Sequence, residues 1–192
     1  MIDYKKASES LGVDIASVKA LAEVESNGSG LITDPVTKKV VPKILFERHI
    51  MFKRLRDYTA VKSEEMFSLY PDIVNPSSGG YLGGIAEYGR LEKAIKIDHN
   101  TALESASWGA YQVMGYYWKT LGYKSVQEFV DSAYTEEGQL EIFIRFVKAS
   151  PNVLKALKSK DWEALALAYN GASYLKNSYN TKLKESYAKF SK

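Results

Sequence analysis

The chain has no cysteine, so disulfides, thiolate metal sites and a cysteine nucleophile are excluded. Histidine is almost as scarce. His49 and His99 are the only two, and a histidine-based zinc site needs more ligands at closer spacing. Both read as bland residues, and no metal or cofactor is expected. No stretch approaches the ~20 apolar residues of a membrane span. The N-terminal "MIDYKKASESLGVD" also lacks an apolar run of signal-peptide length. The expectation is a protein made in the cytoplasm that relies on another route to any target outside it. Phosphate-cradling glycine motifs and nucleophile-elbow serines are missing too. So are internal repeats, linkers and low-complexity blocks, which leaves one domain over residues 1–192, expected to be a monomer.

What is present is an ordinary globular composition, 45% hydrophobic and 26% charged over 192 residues. A chain of this length buries a sizeable core without staples. Hydrophobic periodicity predicts mainly helix: one ending near Glu25 with Asp14 as its N-cap, then 48–56, 84–96, 98–106, 109–121, 125–131, 135–148, 152–158, 161–169 and 179–190. Asn27-Gly28-Ser29-Gly30 stops the first of these. Asp34-Pro35 and Thr37-Lys38-Lys39 form a turn between β-branched residues, so a small β-hairpin is expected near residues 33–47. "YPDIVNPSSGGYLGG", residues 70–84, holds two prolines and four glycines in fifteen positions and reads as a functional loop. The predicted fold class is mainly α, an α+β helical bundle with a small hairpin.

Two glutamates in "LAEVESNGSG" differ by helical phase. With Ile15 at zero and ~100° per residue, Val18, Leu21 and Ala22 fall near ~300°, ~240° and ~340°. Glu25 falls near ~280°, inside this apolar stripe, and Glu23 near ~80°, on the polar side. Glu23 reads as a surface charge. Glu25 closes a core-facing stripe at a helix C-terminus, where desolvation and the helix dipole both favour a protonated carboxyl. A general acid requires that property. The other reading, an early helix end with Glu25 in water, stays open.

Three further stretches carry chemistry-bearing groups. "SASWGAYQVMG", residues 105–115, sets small residues, Ser107 among them, before Trp108, Tyr111 and Gln112. Small residues let backbone approach a ligand, the aromatic rings can stack on a sugar's apolar face, and Gln112 both donates and accepts. The segment could equally be a buried helix entry. "ALAYNGASY", residues 166–174, places Tyr169 and Asn170 at a helix end before Gly171, either facing a ligand or forming a plain helix stop. "PKILFERH", residues 42–49, puts Glu47 on the strand face of Leu45. Arg48 would lower its pKa if the two pair in space. A structural Glu–Arg or Glu–His contact is the alternative, and Asp34 is another carboxylate nearby. Charge is also uneven. Residues 153–192 hold eight lysines against Asp161, Glu163 and Glu185, a surplus of five in a chain of net +3. Such a segment either favours anionic partners or is a solvated helix face.

Taken in order, a glutamate-serine helix end, a "SWGxxQVMG" segment and "AYNG" resemble the lysozyme superfamily, with its goose-type lysozymes and soluble lytic transglycosylases. The sequence is more closely similar to the N-acetylmuramidase family found in phage endolysins and prophage genes. The matching blocks are residues 22–30, 42–49, 75–91, 105–115 and 169–171, and the likeness spans about residues 10 to 190. The resemblance implies a lysozyme-like fold and a muramidase that cuts the β-1,4 bond between N-acetylmuramic acid and N-acetylglucosamine, causing lysis. It implies Glu25 as catalytic acid, Gln112, Tyr169 and Asn170 in the substrate cleft, and Glu47 as candidate base, with Asp34 as the alternative. The implied partner is the peptidoglycan glycan strand, with anionic outer-membrane or wall contact through the basic segment and no nucleic acid. No separate wall-binding domain is expected. Two other functions remain at this point: a lytic transglycosylase releasing anhydro-muramic product, and a non-enzymatic helical module binding nucleic acid or envelope.

Overall fold

Asp3 accepts the Lys6 N–H at 3.0 Å to open helix α1 (Tyr4–Leu11), and Asp14 accepts the Ser17 N–H at 2.8 Å to open α2 (Ile15–Glu25). Caps of this kind contribute ~1 kcal/mol each. The coordinates are a computed structural model that describes residues 3–26, 28, 30–58, 60–170 and 178–192, with backbone alone at 58, 60, 61 and 170. The expected helix stop at Asn27 and Ser29 lies outside the described residues, but α2 does end at Glu25.

A short antiparallel hairpin follows, β1 (Leu31–Thr33) against β2 (Val40–Pro42), with Ile32 opposite Val41. Asp34 closes its turn. Its Oδ1 accepts from the N–H groups of Val36 and Thr37, and its Oδ2 from the Thr37 hydroxyl. The expected hairpin is therefore present, but β3 (Ile44–Phe46) leaves it for a second sheet. Helices α3 (Arg48–Tyr58) and α4 (Ala60–Leu69) come next, then the glycine-rich loop, α5 (Ala86–Ile97) and α6 (His99–Glu104). The predicted helix over 98–106 stops at Glu104 because Ala106 begins β4 (Ala106–Trp108), which pairs with β3.

The helix expected over 109–121 is not formed. Gly109 at φ +73° and Gln112 at φ +48° turn the chain back into β5 (Val113–Met114), antiparallel to β4. A single 3-10 turn, Gly115–Tyr117, follows. Pairing with a strand some sixty residues upstream overrides the local helical pattern here. The remaining helices are α7 (Val126–Ser132), α8 (Glu136–Lys148), α9 (Pro151–Ser159), α10 (Trp162–Asn170) and α11 (Tyr179–Phe190), close to their predicted spans. Helices α1 and α4 were not anticipated from the sequence pattern.

Two hydrophobic cores share helix α8. One gathers Ile44, Phe46, Met51, Leu55, Leu91 and Ile142 around the three-stranded sheet. The other gathers Val18, Leu21, Phe143, Val147, Leu165 and Leu183 among α2, α8, α10 and α11. In α2 the buried arc runs from Ala20 through Leu21 to Ala22, while Ile15 is 40% exposed. The face is thus rotated from the Ile15-centred stripe, yet Glu25 still falls within it and Glu23 outside.

The seam between the cores is closed by Gln139, which is 3% exposed. Its Oε1 accepts from Ala110 N–H at 2.9 Å, and its Nε2 donates to the carbonyls of Ala133 and Gly30 at 2.8 and 3.2 Å. A β-carbon on Gly30 would lie 1.8 Å from Gln139 Oε1 and 2.3 Å from Ala110 N. Gly30→Ala should therefore cost about 3 kcal/mol or more, beyond ordinary overpacking, because backbone as well as side chain must move. A urea denaturation midpoint close to that of the parent chain would refute this.

Candidate active site

Glu25 is the last residue of α2, and the chain leaves it in extended backbone at Ser26. The side chain is partly buried and its Oε1 is shielded from solvent. Two phenols feel its charge. Burial drives the Tyr169 hydroxyl far above its ordinary pKa, with Glu25 adding to the effect, and Tyr179 is raised by the same two causes. The C-terminus of α2, the last turn of α10 and the first turn of α11 therefore converge on this carboxyl group. Tyr179 carried no signal in the sequence beyond a generic helix start. Glu23, by contrast, is exposed and bound to α11. It accepts from Ser186 and Lys189, and the Lys189 contact foremost holds its pKa below the usual carboxylate value.

Tyr111 and Tyr169 frame one wall. Tyr111 stacks on Phe143 with ring centres 4.2 Å apart, and Tyr169 meets the same ring edge-on at 6.2 Å. One face of Tyr111 is thus already covered. Trp108 does not meet the expectation of a sugar-stacking ring. It is 3% exposed, and its indole N–H donates to the Leu103 carbonyl at 3.1 Å, so it belongs to the core beneath the sheet. The pairing of β4 with β3 turns this ring inward.

Ser107 and Gln112 are brought together: the Ser107 hydroxyl donates to Gln112 Oε1 at 2.7 Å, and Gln112 Nε2 donates to the Gly109 carbonyl at 2.7 Å. A non-glycine residue held at φ +48° is a strained position that these bonds must maintain. Two concavities flank the 109–112 turn. One, of about 430 Å³, is lined by Tyr4, Lys19, Glu23, Ser26, Tyr111 and Gln139 among others. The second, of about 350 Å³, is lined by Ile32, Lys43, Leu45, Gly83, Gly84 and Gln112 among others. Asn170 ends α10, but its side chain and the whole of Gly171 lie outside the described residues.

Glu47 stands just past β3, on the partly exposed face of Leu45, as the alternation predicts. Its partner is not Arg48, whose Nε and Nη2 donate to the Ser77 and Ser78 carbonyls at 2.9 Å each. Instead Glu47 Oε2 accepts from the Tyr81 hydroxyl at 2.7 Å and lies 3.2 Å from His49 Nδ1. That contact is the Glu–His alternative left open by the sequence, and it is consistent with a bland His49. His99 Nδ1 lies 3.2 Å from Asn100 Oδ1. Asp34 spends both carboxylate oxygens on its own turn, and the Thr37 hydroxyl foremost keeps its pKa low. Among the described residues, no group of three or more His, Cys, Asp or Glu side chains is placed to hold a metal ion.

A glycosidic cleavage uses a pair of carboxyl groups, and Glu25 and Glu47 are candidates for that pair. The comparisons agree with that chemistry. The family model described as N-acetylmuramidase matches residues 14–191. The crystal structure of the Burkholderia AP3 phage endolysin is similar, with 43% identity, a TM-score of 0.89, and coverage of 98% of this chain and 70% of that one. A search of curated proteins gives no match. With nearly the whole sequence matched by the family model and a solved relative sharing the mainly α, lysozyme-like fold, the chain belongs to the N-acetylmuramidase family and is a glycoside hydrolase acting on peptidoglycan.

Proposed function

We propose that Glu25 is the general acid and Glu47 the second carboxylate of an endolysin-type muramidase. The observation that carries the assignment is the Glu25 carboxyl, shielded at Oε1 and set against Tyr169 and Tyr179. Glu25 enters carrying its proton and delivers it to the glycosidic oxygen as that bond breaks. The anomeric carbon gains oxocarbenium character and is met from the opposite face. In the water-attack form, Glu47 takes one proton of the water while the hydroxyl oxygen bonds to the anomeric carbon. A carboxyl separation of ~6.5–9.5 Å in the substrate complex suits that inverting route, and ~5–5.5 Å would suit a covalent intermediate. Asp34 is the weaker candidate because its oxygens close the hairpin turn.

Gln112 and Tyr169 orient the glycan strand, with Ser107 holding the Gln112 amide and Tyr111 bordering the cleft. Asn170 belongs to this group by its place in the "AYNG" segment. Nothing in the geometry favours the binding-module alternative. Mass spectrometry of digested sacculi tests the reaction itself: reducing muramic ends are expected, and 1,6-anhydro ends would assign it to transglycosylation instead.

The 192-residue chain acts as one catalytic unit, a monomer released to reach periplasmic peptidoglycan. No helix among the described residues is long and apolar enough to cross a membrane. Its basic segment steers it to anionic envelope. Lys189 and Lys160 are tied to Glu23 and Asp14, whereas Lys148, Lys155 and Lys158 line a surface depression with Leu154. Activity on whole envelopes should fall several-fold between ~0.01 M and ~0.15 M salt, as the Debye length shrinks from about 30 Å to about 8 Å. Soluble glycan fragments should show little change. A flat response on envelopes would remove the steering role.

A further inference from the structure

Loop 70–84 is held from both ends by buried charge, and its one tyrosine between glycine pairs meets Glu47. Arg48 grips the loop at the Ser77 and Ser78 carbonyls. Glu87, fully buried, grips it farther on: its Oε1 accepts from Leu82 N–H at 2.6 Å and Gly83 N–H at 3.0 Å. The other oxygen of Glu87 accepts from Phe46 N–H at 3.1 Å and from Arg90 Nη1 at 2.9 Å. Arg90 in turn donates to the carbonyls of Phe46 and Asp72, at 2.8 and 3.0 Å, and its guanidinium lies 6.0 Å from the Tyr81 ring centre. One buried pair thus joins the end of β3, where Glu47 begins, to the loop segment that carries Tyr81.

Burying such a pair is rarely the cheapest route to stability, since apolar replacements are often neutral or better. What it does here is geometric. It fixes the N–H groups next to Tyr81 and both backbone groups of Phe46, next to Glu47, in one rigid frame. The phenol then reaches 2.7 Å from Glu47 Oε2. The Tyr81 and His49 contacts both fall on Oε2, which leaves Oε1 for a water or a substrate group.

We infer that Tyr81 is a positioning residue for Glu47: its hydroxyl anchors one carboxylate oxygen so that the other faces the reacting centre. This rests on the reading of Glu47 as the second carboxylate. The phenol keeps its proton for that task, because the bond to Glu47 foremost, and burial after it, raise its pKa above the ordinary value. His49 Nδ1 lies 3.2 Å from the same oxygen.

Tyr81→Phe tests the inference, because it deletes the hydroxyl and keeps the ring beside Arg90. It should lower kcat on purified peptidoglycan by about tenfold to a hundredfold, the scale of a misplaced reacting group. KM and Tm should stay at parent values. Parent kcat would overturn the inference, and so would a kcat loss accompanied by a drop in Tm, which would make Tyr81 a structural residue. Glu47→Gln, measured alongside, separates the two levels. Loss of activity in Glu47→Gln with full activity in Tyr81→Phe removes only the inference. Full activity in Glu47→Gln removes the reading on which it rests.

Discussion

Glu25→Gln is expected to cut the rate of glycan cleavage by about 10² to 10⁴-fold, the usual contribution of a positioned general acid. That corresponds to roughly 3–5 kcal/mol of transition-state stabilisation. The amide keeps the size of the carboxyl group and its place near Tyr169 and Tyr179, so the fold should be unaffected. What it cannot do is hand a proton to the leaving oxygen. Glu23→Gln is the internal control. Glu23 sits two residues away, exposed, and bonded to Ser186 and Lys189. Its loss should leave cleavage intact and weaken the fold by under ~1 kcal/mol, as for other exposed ion pairs. Turbidity loss and reducing-end release from purified sacculi report both variants. Near-parent rates for Glu25→Gln would end the assignment of Glu25 as the acid.

Arg90→Met is expected to have the largest effect on stability, about 3–5 kcal/mol, because it strands a buried carboxylate. Glu87 is 0% and Arg90 3% exposed. Against a typical total of ~5–15 kcal/mol for a domain, that loss would lower Tm markedly and loosen loop 70–84 at the same time. Replacing both residues by apolar ones of similar size should recover much of the stability but not the loop's order, so stability and activity should part company in the double variant. A Tm for Arg90→Met equal to the parent's would show that the pair is not what holds this region.

The same group gives stability a pH dependence of known sign. Burial pushes the Glu87 pKa up, but the N–H groups of Gly83, Leu82 and Phe46, together with Arg90, outweigh it and leave the pKa below its ordinary 4.5. A carboxylate with a depressed folded-state pKa stabilises the fold above its unfolded value and loses that contribution as pH falls through the folded one. Acid unfolding below about pH 4 should therefore be shallower in the apolar double variant than in the parent.

Much of this was legible in the one-dimensional pattern, and the reason is locality. Helices α2 and α8 follow from their N-caps and 3.6-residue periodicity, and α9 and α11 from periodicity, which are decided within a dozen residues. Helical phase likewise separated Glu25 from Glu23 before any fold was known. The hairpin turn at Asp34 was readable because the aspartate side chain bonds to residues two and three positions on. Where the reading failed, the deciding partner was remote. Residues 109–121 have a helical pattern, but β3 captures β4, Gly109 turns the chain, and Trp108 is carried into the core rather than toward a ligand.

Remote partners also decided how Glu47 is held. Sequence neighbours made Arg48 the natural companion of Glu47, yet a strand end followed by a helix start sends consecutive side chains in different directions. Tyr81 arrives instead from 34 residues away, delivered by a loop that Glu87 and Arg90 clamp. By itself, then, the sequence determined the helical class and the hairpin, because residue type and short-range period carry that information, and its family resemblance offered Glu25 with Glu47 or Asp34 as candidate acids. The tertiary structure alone decided what surrounds those acids, because hydrogen bonds and burial between distant segments exist only once two cores have closed around helix α8.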